Sequence, residues 1–371
     1  MRILQLTSNI HPVSPTFQKA IGSHVAWLSN GLADRGHEVH LFGAKESETR
    51  AIQHGTTGAL SKMDITSEEQ RRFVLLNISR AYEFAQTGAD IVHSHFTLLS
   101  NYFAPISSVP TLTSVHSPIT PGQREILSYF KKERFVSFSL AQRKQAPELN
   151  WYANIYHGVD TKVFAYNDTP KDYFLYLGRI TEEKGTYHAI EAAKAAGVPL
   201  LIAGTSYPAE GYWQKCIEPH IDGVQVQYLG EADFERKIEL LQNARALLFP
   251  TRTGEVFGYS MIEAMSCGTP VIGFDNGSVS EIVQEGVSGF VVLDAEGMAE
   301  AIKKIDQIDR ARVRRRAERF FSVEKMITGY ERVYKRILED TKFHEQKQNQ
   351  KKLKETVKLF ENGALENGGA A

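Results

Sequence analysis

Short apolar runs alternate with amphipathic stretches along most of the chain. In the first half, RILQL (2–6) and HEVHLFG (37–43) predict strands, with a helix over about residues 22–35 between them. The runs ADIVHSHF (89–96), PTLTSVH (110–116) and NIYHGVD (154–160) predict further strands. This strand–helix–strand order favours a parallel sheet covered by helices. Residues 45–69 are polar and poorly periodic, and we interpret them as a loop.

A second series of apolar runs begins near residue 172. Six strands are predicted there, at YFLYLGRI (173–180), PLLIAG (199–204), VQVQYLG (224–230), ARALLFP (244–250), TPVIGF (269–274) and GFVVLD (289–294). The polar, proline-containing stretch 160–173 is the candidate linker. We therefore predict an N-terminal domain over 1–165 and a C-terminal domain over 166–321.

The end of the chain has a different pattern. Met326, Tyr330 and Tyr334 recur at helical spacing and predict a helix over 322–340. Residues 341–371 are rich in Lys, Gln, Glu and Asn and are predicted to form a flexible polar tail.

Length and composition narrow the class of protein. A chain of 371 residues suggests two domains, and a net charge of −1 gives no indication of nucleic-acid binding. Cys216 and Cys267 lie outside any metal-type spacing, which favours a reducing, cytoplasmic location. The basic, aromatic-containing stretch 123–144 is a candidate for peripheral membrane contact. The alternative interpretation is an ordinary packed helix and strand.

Polar residues follow the predicted strands of the second half. Arg179 and Lys184 lie in a turn between Gly178 and Gly185, where two cations could converge on a diphosphate. They could equally be two solvated surface cations. After the next strand, Gly204 would let a ligand approach the backbone closely.

The stretch RTGEVFGYSMIEAMSCGTPVIG (252–273) contains two carboxylates, Glu255 and Glu263, on either side of a predicted helix start. A glycosidase acid–base pair would need an open sugar groove, and it would not explain the cationic turn. A helix start suits phosphate, and two flanking carboxylates could each accept hydrogen bonds from hydroxyls. The alternative is a helix-capping Glu255 and a surface Glu263.

Three segments carry a family resemblance. GEVFGYSMIEAMSCGTPVIGFDNGSVSEIV resembles the Glu-x7-Glu signature of retaining glycosyltransferase family 4. YLGRITEEKGTYHAIEA resembles the Gly-Arg…Glu-Lys-Gly segment of that family, and IYHGVDTKVF resembles its Asn-Gly-Val-Asp turn. The resemblance implies an α/β fold of the GT-B type, with two Rossmann-like domains facing across a cleft. It also implies that the C-terminal helix packs back on the N-terminal domain.

The resemblance also implies roles for individual residues. Glu255 would bind donor-sugar hydroxyls and Glu263 the ribose, while Arg179 and Lys184 would neutralise the diphosphate. Gly204 is a further donor-binding candidate, and the anion site would be completed by the backbone N–H groups of Phe257, Gly258 and Tyr259. The nucleotide sugar, with UDP or GDP, would be a co-substrate of a metal-independent transfer to a hydroxyl acceptor, and no cofactor is expected.

The first half contributes histidines and a glycine. His116 resembles a family histidine near the reaction centre, although a structural histidine is the alternative. His93 and His95 are predicted to point to opposite faces of a strand, which argues against a shared metal site; His95 is an acceptor-side candidate. Gly22 lies where the family often has a Gly-Gly pair near the phosphates, and His157 lies where it often has Asn.

Other functions share this fold and these motifs. A sugar-nucleotide 2-epimerase, a glycosyl phosphorylase or a non-enzymatic nucleotide-sugar-binding protein are the alternatives to a retaining glycosyltransferase. The sequence does not indicate the donor base, the sugar, the acceptor or the oligomeric state.

Overall fold

The structure is a computed structural model that describes residues 1–16, 20–207 and 211–366. Thirteen strands are found among these residues. They are β1 (Arg2–Leu6), β2 (Glu38–Phe42), β3 (Ile52–Gln53), β4 (Ile91–Ser94), β5 (Thr111–Ser114), β6 (Arg134–Ser137), β7 (Trp151–Asn154), β8 (Phe174–Leu177), β9 (Leu200–Ala203), β10 (Val226–Tyr228), β11 (Leu247–Phe249), β12 (Val271–Phe274) and β13 (Gly289–Val292).

Helices connect and cover the strands. The described α-helices are α1 (Ala20–Asp34), α2 (Ser67–Gly88), α3 (Pro121–Ser128), α4 (Leu140–Arg143), α5 (Thr186–Ala196), α6 (Phe234–Asn243), α7 (Tyr259–Ser266), α8 (Val279–Ile282), α9 (Ala295–Ile302), α10 (Arg310–Phe320) and α11 (Val323–Glu366). None of the helices in the described part of the chain is long and apolar enough to cross a membrane.

The strands form two parallel sheets. The first has seven strands in the order β3-β2-β1-β4-β5-β6-β7, and the second has six in the order β10-β9-β8-β11-β12-β13. In both sheets the order reverses beside the first strand in sequence, β1 or β8. In such doubly wound sheets a crevice opens at this point, at the carboxyl ends of the strands. The prediction of two Rossmann-like α/β domains is confirmed.

The chain passes between the two sheets twice, at adjacent places. Val159 forms a parallel bridge with Ser322, and the Val159 N–H donates to the Phe321 carbonyl at 2.8 Å. Helix α11 begins directly after this crossing and packs on α1 of the first domain. Its Tyr330 and Tyr334 are fully buried there. The prediction that the C-terminal helix packs back on the N-terminal domain is confirmed.

Several element boundaries differ from the predictions. NIYHGVD is not a strand, because β7 ends at Asn154 and the following residues form the crossing between the domains. The predicted loop over 45–69 contains the short strand β3 and the start of α2. Helix α2 begins there because Thr66 and Glu69 form a capping box, in which each side chain accepts from the other's backbone N–H.

The predicted polar tail is helical in part. Helix α11 continues from Val323 through Glu366, well past the predicted end at residue 340. The flexibility predicted for 341–371 stays a prediction, and residues 367–371 lie outside the described residues.

Candidate active site

A cleft of about 810 Å³ lies between the two sheets. Both domains contribute to its walls, and most residues singled out from the sequence line it. These are Gly22, His116, Arg179, Lys184, Gly204, Glu255, Phe257, Gly258, Tyr259 and Glu263. His95 is 6% exposed and lies behind His116. In doubly wound sheets, ligands bind in the crevice at the carboxyl ends of the strands. Here this arrangement brings together residues that are up to 241 positions apart in sequence.

Lys184 and Glu255 form an ion pair in the cleft wall of the second domain, with Nζ 2.5 Å from Oε2. Lys184 ends a short 3-10 turn that follows β8, and Glu255 lies in the loop after β11. The two loops are adjacent because β8 and β11 are neighbouring strands. The side chains are 25% and 15% exposed, so the pair is accessible from the cleft yet partly desolvated.

Glu263 has a second lysine as its partner. The Lys237 Nζ lies 2.6 Å from Glu263 Oε1, and the two side chains are 20% and 8% exposed. Aromatic rings of Phe164 and Phe234 lie 5.3 and 5.1 Å from the same ammonium group. A buried carboxylate needs such a partner, because desolvation strongly disfavours an unpaired charge.

Lys237 was not among the residues predicted from the sequence. It lies in the first turn of α6, the helix that follows β10. The predicted residues of the second domain lie mainly in the loops directly after the strands. The first turn of a helix that follows a strand also faces the crevice, and this position is the signal that indicates Lys237.

Helix α7 begins between the two ion pairs. Gly258 precedes it with φ +81° and, as the N-cap residue, provides no side-chain hydrogen bond to its first N–H groups. A Cβ at Gly258 would lie 2.7 Å from Met261 Cε and 2.9 Å from Phe249 Cζ, so both conformation and space require glycine. An uncapped helix start that faces a cleft is suited to an anion.

Gly204 brings the end of β9 against the turn that carries Arg179. Its φ is +154°, and a Cβ there would lie 1.8 Å from the Gly178 carbonyl oxygen. Arg179 follows Gly178 directly and is exposed at the cleft. Its own carbonyl accepts a 2.7 Å hydrogen bond from the Tyr176 hydroxyl. Glycine at 204 therefore permits the loop packing that presents Arg179.

Four buried histidines, His24, His93, His95 and His157, and the half-buried His116 form a histidine cluster at the cleft wall of the first domain. Burial lowers the pKa of His116 to about 3 and holds the pKa of each of the other four well below its ordinary value, so all five are neutral at pH 7. The cluster joins the domains, since His24 Nδ1 lies 2.9 Å from His157 Nδ1 and 3.4 Å from the Tyr259 hydroxyl.

The prediction that His93 and His95 point to opposite faces is wrong. Their ring centres are 4.3 Å apart. Side chains two positions apart along a strand point to the same face, so alternation along β4 brings His93 and His95 together rather than apart. His95 instead forms a 2.9 Å hydrogen bond with His116.

Three histidines also have the spacing of metal ligands. His24, His95 and His116 each bring one ring nitrogen within 4.8 Å of the other two. These additional ligands were not anticipated from the sequence, where the absence of partners was an argument against a metal. All three ligands are neutral, and none is a carboxylate or thiolate. The absence of a metal requirement stays a prediction.

Gly22 lies in the first turn of α1 at the cleft wall, with Ser23 and His24 behind it. The neighbouring residues 17–19 lie outside the described residues. The contact of this segment with a phosphate is therefore a prediction for Gly22 alone.

Two α/β domains that face across a cleft, with paired lysines and carboxylates around an uncapped helix start, define a protein that handles an anionic ligand. Comparison with known families makes the class specific. Residues 161–320 match the family model for glycosyl transferases group 1, and residues 21–171 match that for glycosyltransferase family 4. The chain belongs to the family 4 type of glycosyltransferases, with the GT-B fold, and it is a glycosyltransferase enzyme.

Individual relatives agree with this assignment. The N-acetyl-alpha-D-glucosaminyl L-malate synthase of Bacillus anthracis is 33% identical over 85% of this chain and 93% of its own. Sucrose-phosphate synthase from Thermosynechococcus elongatus has a TM-score of 0.72 at 22% identity, covering 91% of this chain and 99% of its own. Anabaena Alr3699/HepE, in complex with UDP and glucose, has a TM-score of 0.68 at 17% identity, covering 92% and 99%.

Proposed function

We propose that this enzyme transfers a sugar from a nucleotide-diphosphate sugar to a hydroxyl acceptor with retention of anomeric configuration. The supporting observation is the arrangement of two Lys–Glu pairs, Lys184–Glu255 and Lys237–Glu263, on either side of the uncapped start of α7. A nucleotide sugar has the matching order of groups: sugar hydroxyls, diphosphate and ribose hydroxyls.

The donor fits this order in one direction. Glu255 accepts hydrogen bonds from sugar hydroxyls, and Glu263 accepts them from the ribose. The diphosphate lies at the start of α7, where Arg179 and Lys184 add positive charge. Lys184 then exchanges its carboxylate partner for a phosphate oxygen, whereas Glu263 can keep Lys237 on one oxygen and bind ribose with the other.

The chemical step follows from charge. Negative charge develops on the leaving diphosphate as the glycosidic bond lengthens, and preplaced cations and N–H dipoles stabilise it. The anomeric carbon gains oxocarbenium character, and the acceptor hydroxyl attacks from the same face while a donor phosphate oxygen takes its proton. This accounts for retention without a covalent enzyme intermediate, a metal ion or a cofactor.

The relatives suggest which substrates to examine first. HepE binds UDP and glucose, and the Bacillus anthracis relative is named for an N-acetylglucosaminyl product of L-malate. UDP-glucose and UDP-N-acetylglucosamine are therefore the first donors to test. GDP-mannose is the donor that tests the alternative base. Acceptors should include simple sugars, glycolipid analogues and L-malate.

The donor is identified by thermal shift across a panel of nucleotide sugars, because a ligand of the folded state raises the melting temperature by mass action. Transfer from the best donor is then followed by NMR, which reads the anomeric configuration of the product. An inverted product would contradict retention. Product formation in metal-free buffer with EDTA is expected, and complete loss there would contradict metal independence.

Variants test the assignment of the cations. Arg179→Ala and Lys184→Ala should each lower kcat by about a hundredfold or more, since each removes charge stabilisation of the leaving group. Lys194→Ala is the matched control, because Lys194 lies on α5. Near-normal turnover by both cleft variants would overturn the proposed site.

The alternatives predict different products. An epimerase would convert a nucleotide sugar with no acceptor present, a phosphorylase would require inorganic phosphate, and a binding protein would form no product. The family relationship favours none of these three. Acceptor-dependent glycoside formation distinguishes glycosyl transfer from all of them in one assay.

A further inference from the structure

A chain of hydrogen bonds runs from the cleft to the C-terminal helix. His116 Nε2 lies 2.9 Å from His95 Nδ1, and His95 Nε2 lies 2.8 Å from the Gln5 Oε1. The Gln5 amide nitrogen donates to the Tyr334 hydroxyl at 3.3 Å. That hydroxyl is 2.6 Å from His93 Nδ1. Only His116, at one end, lines the cleft.

Each hydrogen bond of this series contains one proton, so the identity of the donor in one hydrogen bond determines the donor in the next. The Gln5 oxygen can only accept, and His95 therefore carries its proton on Nε2. His95 Nδ1 is then an acceptor, and His116 must donate to it from Nε2. Neutral His116 has one ring proton, so its Nδ1 is left as a bare lone pair.

The other end of the chain supports the same direction. The Gln5 amide N–H group uses the oxygen of Tyr334 as its acceptor, so the Tyr334 hydroxyl proton is free to point to His93 Nδ1. His93 then donates from Nε2 to the Ser114 hydroxyl at 2.8 Å. Both ring nitrogens of His93 and of His95 have a partner in this arrangement.

The surroundings keep the chain uncharged. Gln5, His93, Ser114 and Tyr334 are fully buried. The titratable groups around His95 and His116 are the other members of the histidine cluster, from α1, β4 and the crossing between domains, together with Tyr259 of α7 and Tyr330 and Tyr334 of α11. Burial disfavours protonation of either ring, and no carboxylate of the described residues offsets it.

We propose that Gln5 and Tyr334 are positioning residues that hold His116 as its neutral Nε2–H tautomer, with Nδ1 presented to the cleft as a hydrogen-bond acceptor. This rests on the proposed function: the partner of Nδ1 is then a hydroxyl of the donor sugar or of the acceptor. His116 can orient that hydroxyl, and it cannot act as an acid toward the leaving group. The C-terminal helix thereby becomes part of the reaction site.

The direct test is independent of activity. Long-range ¹H–¹⁵N correlation spectra of the ¹⁵N-labelled protein report the tautomer of each histidine, and a His116→Gln variant assigns the signal. We expect a protonated Nε2, a bare Nδ1 and no titration between pH 5.5 and 8. A proton on Nδ1, or titration in that range, would overturn the proposal even if transfer activity is found.

Substitutions test the relay. Gln5→Glu places a carboxylate on His95, and its charge should stabilise a protonated imidazole in the His95–His116 pair. The pH profile of kcat should then gain a new limb between pH 5.5 and 8. Tyr334→Phe removes one hydroxyl and should lower kcat about tenfold, while KM for the donor changes less than threefold.

Tyr152→Phe is the matched control, because its hydroxyl also bonds to α11, at Asp340 with a distance of 2.6 Å, but lies outside the relay. It should leave kcat and the pH profile unchanged. Equal losses in Tyr152→Phe and Tyr334→Phe would indicate a merely structural role of helix attachment and overturn the relay. Failure of the wild-type protein to transfer sugar would reject the proposed function while leaving the NMR result valid.

Discussion

The Lys237–Glu263 pair gives a quantitative test of the donor site. Lys237→Met removes the ammonium group while the side chain retains apolar contact with Phe164 and Phe234. It leaves the Glu263 carboxylate, which is 8% exposed, without the ammonium partner it has in this structure. We expect the variant to be folded, less stable and weaker in nucleotide binding.

The magnitude follows from the burial of the pair. Removing one partner of a fully buried ion pair costs about 3–5 kcal/mol, whereas exposed pairs contribute less than about 1 kcal/mol. The Lys237 side chain is 20% exposed, which places this pair between the two limits. We therefore expect a loss of about 2 kcal/mol in the free energy of unfolding, or a melting temperature lower by about 4–8 °C.

A double-mutant cycle isolates the interaction. Lys237→Met, Glu263→Gln and the double variant are compared by urea and thermal unfolding, and the double variant should lose less stability than the two single losses added together. Arg236→Met is the matched control, because Arg236 lies next in sequence and forms an exposed pair with Glu239. Its loss should be below about 0.5 kcal/mol.

Ligand binding completes this test. In wild-type protein, a nucleoside diphosphate or the identified donor should raise the melting temperature, and Lys237→Met should reduce its affinity about tenfold, because Glu263 loses the group that orients it. If Lys237→Met costs no more stability than Arg236→Met and binds the nucleotide normally, the structural basis given for Glu263 is refuted.

Three further predictions concern separate features. Gly204→Ala places a Cβ 1.8 Å from the Gly178 carbonyl oxygen, so the loop that carries Arg179 must shift. Isothermal titration calorimetry should then show donor affinity lowered about tenfold. Unchanged affinity would contradict the role of this loop in presenting Arg179 to the donor. The five histidines of the cluster have folded pKa values below the ordinary 6.5, so the unfolded chain binds more protons than the folded one as the pH falls through 6.5. The free energy of unfolding should therefore be highest above pH 6.5 and decrease below it; melting temperatures equal at pH 7.5 and 5.5 would contradict this. In the candidate membrane segment 123–144, Tyr129 is 83% exposed and the adjacent Lys131 and Lys132 are also exposed. The wild-type protein should therefore sediment with anionic vesicles, and a Lys131→Glu/Lys132→Glu variant should not. No binding by the wild-type protein would favour the ordinary packed surface.

The central strands of the second domain could be predicted because they are short apolar runs buried by helices, whereas the edge strands β10 and β13 are only partly buried. All six predicted runs contain an observed strand. The prediction of a strand at NIYHGVD was wrong for a related reason. Ile155 and Val159 are buried, but they lie in the crossing between the domains rather than in a sheet. Apolar composition reports burial, and it does not report which element is buried.

Helix α2 illustrates a second limit. Most of its residues are polar, and only a narrow stripe that includes Val74, Ile78 and Ala81 is buried. Its start is marked by the Thr66–Glu69 capping box, a local signal that was present in the sequence but was outweighed by the polar composition of the region. Cap chemistry is therefore more informative than composition at such a boundary.

The candidate site was predictable where residues follow strands within a few positions, as for Arg179, Lys184 and Glu255. The pairing of side chains from two separate elements was not predictable, even where the individual residues were. Lys237 and Glu263 are 26 residues apart and meet because α6 and α7 pack together. The histidine cluster likewise depends on the meeting of both domains with α11, which no local pattern encodes.

The two Lys–Glu pairs have different consequences for catalysis. Lys184 is 25% exposed and pairs with a carboxylate whose proposed ligand is the sugar. In the proposed function, donor binding would separate this pair and transfer the lysine to the diphosphate. Lys237 is held among aromatic rings against a more buried carboxylate, where its partner need not change. Loss of Lys184 should therefore appear mainly in kcat, because its charge acts as the bond to the leaving group breaks. Loss of Lys237 should appear mainly in stability and in KM, because its charge acts before and after that step equally.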